Sequence, residues 1–411
     1  MTVDHFTDRE FQEVALNVNQ NNSTHRQRQF SVTESEGTLC TLYVSRTPAF
    51  KKMENNTTLN YSLLGNDSGE SFTDLGEPVK WGFWLKTVLT PLIVTAGIIG
   101  NILSLVVMKS KALRHKSYSQ YLSALAVFDT LTLIIRQIRS VDEYFQTNSS
   151  SGVIFHNFDD FGCKIFNFTE HICYLMSSWL IVLMALERLI AVCMPFKKFL
   201  IRRRSGATLA IISLFVAICL SQAFRLVMVE QLESRNCGAS DSFIELYSNL
   251  HIYFYHMTLT FILPVTFVLV CNGLVLYQIF KIRHEINSRA EQKNRHHRAM
   301  RKTHRTTCML LTVSFTYLGT LLPLLTLSLV LDMIVKARGR DAYSFYVAVT
   351  PYLDIAIVIS LLNYAANFFI YILSGKNFRY ELRKCFHRQR TSIRSFTARS
   401  TKETKEEVIR L

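Results

Sequence analysis

The stretch MALERLIAV, Met184 to Val192, sets Glu187 and Arg188 side by side at the end of a long apolar run. Other polar residues are embedded in apolar segments: Asn101 in IIGNILSL, Asp129 in LSALAVFDTL, and Asn363 and Asn367 in LLNYAANFFIYIL. Charge in hydrocarbon costs roughly 2.5–3.5 kcal/mol on insertion scales, so each such residue needs a partner or a role. Polar side chains in three separate apolar segments suggest a shared hydrated cluster able to hold water or a small cation such as Na⁺. Interhelical hydrogen bonding without any switching role is the alternative. No other cofactor is implied. The nine cysteines include no CxxC and no metal-ligand spacing. RHHRAM pairs His296 with His297, but within a basic stretch that reads as solvated rather than metal-binding. Enzymatic motifs are absent, so no catalytic residues are assigned.

The elements that must position these residues are membrane spans. Spanning a bilayer takes roughly 20 mostly apolar residues as a helix. Seven segments qualify, at about 84–108, 119–139, 165–193, 206–229, 248–280, 306–332 and 343–373. The expected fold is an all-α membrane protein: a seven-helix transmembrane bundle over 84–373 between an N-terminal tail, 1–83, and a C-terminal region. Within that region LSGKNFRYELRKCF places Phe378, Leu382, Cys385 and Phe386 among Lys and Arg. It predicts a short amphipathic helix on the membrane surface over 374–387, followed by a tail, 388–411. Cys385 is placed for palmitoylation.

Charge orients the bundle. The connection after the first span holds Lys109, Lys111, Arg114 and Lys116, and that after the third holds Lys197, Lys198, Arg202, Arg203 and Arg204, neither with an acid. Nine Lys/Arg lie between the fifth and sixth spans, and eleven follow the seventh. By the positive-inside rule these connections are cytoplasmic and the N-terminus is extracellular, which makes the chain a multi-pass protein of the plasma membrane. Restriction of the basic residues to one side favours inner-leaflet lipids and cytoplasmic partners, not nucleic acid. The N-terminal tail has no early apolar run, so the first span is expected to direct export. It is polar, is expected to be disordered, and carries glycosylation sequons at Asn21, Asn22, Asn55, Asn56, Asn60 and Asn66. A further sequon at Asn167 lies in or next to the third span and is not expected to be modified. An oxidising exterior favours a disulfide between Cys163, at the start of the third span, and Cys237, before the fifth.

The ordered set of GN in span one, LSALAVFD in span two, Cys163 twenty-five residues before Arg188, and NFFIY in span seven resembles the rhodopsin-like (class A) G-protein-coupled receptors over about 84–386. NFFIY is similar to the variant common among neuropeptide receptors. The resemblance implies that Glu187–Leu189 stands where the family has an acid–Arg–Tyr motif. There Arg188 is held at rest and released as an inner cavity opens for a heterotrimeric G protein. An interfacial Arg that snorkels to headgroups is the plain alternative. Pro264 and Pro323 match the kink prolines of spans five and six, and Asn367 and Tyr371 belong to the span-seven motif. Tyr317 and Leu321 stand where the family has Phe and Trp, and Phe368 replaces a proline. Thr391, Ser392 and other hydroxyls of the tail are sites for receptor kinases, whose phosphates recruit arrestin.

The resemblance places an agonist in the outer half. Arg136, Arg139, Glu170, His171, Tyr174, Tyr253, His256, Ser328 and Asp354 are the candidate contacts. Two arginines and several acids suit a zwitterionic or amidated peptide, unless Arg136 or Arg139 simply pairs with Glu170 or Asp142. Retinal is excluded because no Lys lies between Ala342 and Leu373. A biogenic amine or other small molecule is the nearest alternative ligand, with Glu170 facing the ammonium. A non-signalling transporter or scaffold is the alternative from another class, but a transporter would carry internal repeats and broken helices that are not found.

Overall fold

The computed structural model describes residues 81–149, 154–193, 204–232, 237–287, 293–338, 343–374, 378–385 and 387. The six tail sequons lie outside the described residues. Seven helices are long and apolar enough to cross a membrane. In chain order the elements begin with α1 (Trp81–Met108), α2 (Ser117–Ser149), α3 (Asp160–Cys193) and α4 (Arg204–Gln222). A short α5 (Arg225–Met228) then leads into an antiparallel pair, β1 (Val229–Gln231) and β2 (Cys237–Ala239), in which Gln231 lies opposite Cys237. The fifth span starts as α6 (Ile244–Asn249), widens into a π-helix (Leu250–Ile262) and ends as α7 (Leu263–Asn287). The sixth is α8 (Lys293–Arg338), and the seventh is α9 (Tyr343–Ala365) followed by α10 (Asn367–Ser374). Residues 378–385 are helical as well.

Helices are the open-ended solution in hydrocarbon because each backbone donor finds its acceptor within the segment. Hydroxyls in the spans follow the same logic: Thr87 donates to the Phe83 carbonyl at 2.8 Å, Thr130 to Ala126 at 2.7 Å and Ser178 to Tyr174 at 3.1 Å. Glycine lets the helices close up. A Cβ at Gly97 would come within 2.6 Å of the Leu133 side chain and 3.1 Å of the Ala365 backbone, where spans one, two and seven meet. In its most apolar window the third span has 56% of residues buried and the fourth only 17%. The third is therefore the axis of the bundle, and the fourth lies at its edge with Leu209 and Leu220 outward.

Three departures from the expected boundaries are the most informative. The second helix runs on to Ser149 instead of ending near 139, because its charged outer turns are buried: Asp142 and Glu143 are both nearly inaccessible. The sixth begins at Lys293 rather than 306, since Lys and Arg are good helix formers and need no apolar setting. The seventh breaks at Ala366. The break is a kink and not a gap, as Ala366 N still donates to Leu362 O at 2.9 Å and Ile370 N to Ala366 O at 3.0 Å. The expected disulfide is present, joining Cys163 of α3 to Cys237 of β2 and packing with Phe155, Phe158 and Phe166.

Candidate functional site

Polar groups occur at three depths. At the basic end, Glu187 Oε1 accepts a hydrogen bond from Ser117 Oγ at 3.0 Å, and Glu187 Oε2 lies 3.5 Å from Arg188 Nη2. The Arg188 guanidinium also covers the Tyr118 ring, 5.2 Å from its centroid. Ser117 and Tyr118 open α2, so the acid–base pair of the third span is clasped by the start of the second. Neither clasping residue was singled out from sequence, where Ser and Tyr at a loop–helix junction look like ordinary capping residues.

In the middle, Asp129 is fully buried. Its Oδ1 accepts from Ser177 Oγ at 2.6 Å and its Oδ2 from Asn367 Nδ2 at 2.6 Å, so one carboxyl group joins spans two, three and seven. Asn367 Nδ2 also reaches the Asn363 carbonyl at 3.4 Å. Asn101 stands apart from this set: its Nδ2 donates to the Tyr364 carbonyl at 3.1 Å, and its Oδ1 has no hydrogen-bond partner among the described residues. Ser177 was missed because a serine in an apolar helix normally bonds back to its own backbone.

A second device lies beside the proline of the fifth span. Pro264 has no N–H to give the carbonyl of Thr260, four residues back. The Tyr317 hydroxyl of the sixth span donates to that carbonyl. Tyr317 is completely buried, and its hydroxyl oxygen is the one heavy atom by which it exceeds a phenylalanine. Pro323 lies inside α8. Tyr371 packs on Phe378 at 5.7 Å and so ties the seventh span to helix 378–385, where Cys385 is a half-buried free thiol.

The far end holds most of the buried charge. Lys86 Nζ donates to Glu143 Oε1 at 2.5 Å and to Asp354 Oδ1 at 2.7 Å, which locks spans one, two and seven together. Arg139 forms a two-point ion pair with Glu170, 2.7 Å at Nε, while Tyr174 donates to the same carboxylate at 3.0 Å. The Arg139 guanidinium is sandwiched near Phe155 and Phe166, at 5.4 and 5.2 Å. Tyr253 donates to Asp332 at 2.5 Å, with Lys336 Nζ 3.2 Å from the same oxygen.

A cavity opens among spans three to seven. Of the candidate contacts, His171, Tyr174 and His256 line it; Arg136, Arg139, Glu170, Tyr253, Ser328 and Asp354 do not. Arg136 is nonetheless buried in the second span and Ser328 half-buried in the sixth. Its wall also contains Gln222, Arg225, His251 and Tyr255, none of which the sequence had marked. Arg225 is wholly inaccessible, although an arginine at the edge of a span would be expected to snorkel outward. The Asn167 sequon is used inside the protein: its Oδ1 accepts from Arg225 Nη1 at 3.2 Å and from the Tyr247 hydroxyl at 3.3 Å.

A family model described as the seven-transmembrane receptors of the rhodopsin family matches residues 100–371. The chain belongs to this family. The receptor carries its acid–Arg pair, its buried Asp129, Pro264 and Pro323 all within the matched segment. Among curated proteins it is similar to a galanin-like G-protein coupled receptor of Caenorhabditis elegans, 25% identical over 143 residues, which is 35% of this chain and 31% of that protein. It is also similar to Neuropeptide receptor 18 of the same organism, 23% identical over 185 residues, 41% of this chain and 37% of that protein. The chain thus spans about a third of the length of the curated relatives it matches. The family consists of receptors, not enzymes. Among the described residues no group of His, Cys, Asp and Glu is arranged to hold a metal ion. Leu321 sits on the cavity wall of the receptor.

Proposed function

We propose that the receptor is activated by an extracellular peptide and signals through heterotrimeric G proteins from the plasma membrane, its N-terminus outside. The cavity carries this reading: it is walled by a guanidinium, histidines and tyrosines at the end of the bundle that bears the disulfide. Such donors match the amide and carboxyl groups of a peptide, whereas a lipid would leave them unpaired. The names of the relatives, one galanin-like and one a neuropeptide receptor, point the same way. An amine is disfavoured because Glu170, its expected counter-ion, is already held on both oxygens by Arg139.

The mechanism is a population shift. Ligand in the outer cavity and G protein at the inner face favour the same state, so each raises the affinity for the other. Release of Arg188 from Glu187 and Tyr118 accompanies that state, and the Tyr317–Thr260 contact couples the fifth and sixth spans across their kinks. The Asp129 cluster is the seat for Na⁺, and it stabilises the resting arrangement. Receptor kinases and arrestin act on the C-terminal tail, the basic inner segments rest on anionic lipid, and Cys385 takes a palmitoyl chain.

Expression of the full chain in cells carrying several Gα reporters, challenged with a neuropeptide library, tests this directly. A peptide response that disappears in Arg188→Ala, with surface expression retained, is the expected result. The Asp129→Asn variant should still reach the surface and should alter basal signalling or its sodium dependence. Surface-expressed receptor that answers no peptide but answers an amine would overturn the ligand class.

A further inference from the structure

Among the described residues, Arg225 is a wholly buried cation with no carboxylate within ion-pair distance. Arg139 is matched by Glu170, Lys86 by Glu143 and Asp354, and Lys336 by Asp332. Arg225 has no carboxylate partner among the described residues. Its Nε donates to Gln222 Oε1 at 2.7 Å, its Nη1 to the Tyr247 hydroxyl at 2.6 Å and to Asn167 Oδ1 at 3.2 Å, and its Nη2 to His251 Nδ1 at 2.8 Å. Neutral acceptors satisfy hydrogen bonds but do not cancel charge, and a buried guanidinium cannot shed its proton. The flanking rings of Phe224, Tyr247 and Tyr255, at 4.9, 5.4 and 5.8 Å, answer that charge only in part.

Two details give the site a direction. A guanidinium has five N–H groups, and four are used, which leaves one on Nη2. That same nitrogen can only donate, so His251 Nδ1 must be the acceptor and neutral His251 carries its proton on Nε2. His251 Nε2–H is therefore a second donor on a residue of the same cavity wall. Among the described residues the wall holds no Asp or Glu, and its remaining surface includes Leu175, Leu321, Leu324 and Leu325.

We infer that this cavity, once its walls part to uncover the remaining N–H of Arg225, is a carboxylate subsite, in which Arg225 and His251 receive an anionic group carried next to an apolar side chain. For a peptide ligand that group is a free C-terminal carboxylate on an apolar residue, which narrows the choice between zwitterionic and amidated peptides. For this source the inference rests on the peptide reading proposed above; the subsite itself also accepts a small carboxylic acid.

The test has two arms. In the first, peptides active on the wild-type receptor in the reporter cells are resynthesised as matched free acids and C-terminal amides. The acid is expected to be about a hundredfold more potent, as befits loss of one desolvated charge pair. Arg225→Gln should bring acid and amide to within about threefold of each other, and Arg225→Lys should keep part of the preference. Equal potency of acid and amide on the wild type overturns the inference, and this contrast needs no variant to fold.

The second arm does not depend on any peptide agonist. The purified full chain in lipid nanodiscs is heated with N-acetyl-leucine or with N-acetyl-leucinamide. A rise in the unfolding midpoint with the acid, absent with the amide and absent in Arg225→Gln, supports the subsite even if every peptide is silent in the first arm. That pattern would assign it to a small acid and reject the peptide reading alone. Equal effects of acid and amide, or no effect of either, reject the subsite for both sources.

Discussion

Two buried charges of the receptor lie among neutral hydrogen-bond partners, Asp129 at mid-depth and Arg225 at the end that bears the disulfide, and they differ instructively. Asp129 receives one donor on each oxygen, from spans three and seven. A carboxyl group so placed can also take up a proton or hold a cation, so its site has more than one way to become neutral. Arg225 is held by four acceptors spread over spans three, four and five, and a guanidinium has neither way out. The first arrangement suits a switch whose charge state changes. The second is a fixed positive centre, and it organises the walls of the cavity around it.

The difference can be broken or sharpened by truncation, read as the unfolding midpoint of full-length protein in nanodiscs. Arg225→Ala should have the largest effect. It strands Gln222 and His251, leaves a large void and removes the link between three spans, a loss of about 4 kcal/mol. Asp129→Ala should cost less, about 2–3 kcal/mol, since only Ser177 and Asn367 lose an acceptor. If it proved the more damaging of the two, Arg225 would not be the tighter organiser. Ser177→Ala should cost about 1 kcal/mol, the smallest of the series, because Asn367 still grips the other oxygen. Its signature lies elsewhere, in a changed sodium dependence of basal signalling at nearly unchanged stability.

Asp129 was legible because an acid amid leucine and alanine contradicts its surroundings. Arg225 was not, for it sits at the end of an apolar run, where a basic residue can reach water by extending its side chain. Asn167 was hidden for a related reason: as a sequon beside a span it reads as a surface feature, yet its amide is a ligand of Arg225. Glu170 was legible as a buried acid near Arg139, but the pairing stood against ligand contact as two equal readings. The two-point geometry on its carboxylate now gives the pairing its physical form. The second span was drawn too short because its outer turns are charged, and burial of Glu143 depends on Lys86, fifty-seven residues earlier.

The sequence by itself determined the seven spans, the side on which positive charge collects, the cysteines that join and the polar residues held inside. These follow from local quantities: run length, charge bias and the penalty for a polar group in hydrocarbon. Tertiary structure alone decided the partners. Lys86 meets Asp354 across 268 positions and Asn367 meets Asp129 across 238. A span that is apolar on every side gives little sign of which face will turn inward. The rotation of each helix about its axis is fixed only when its neighbours pack, and that rotation made Arg225 a cavity wall instead of a surface anchor.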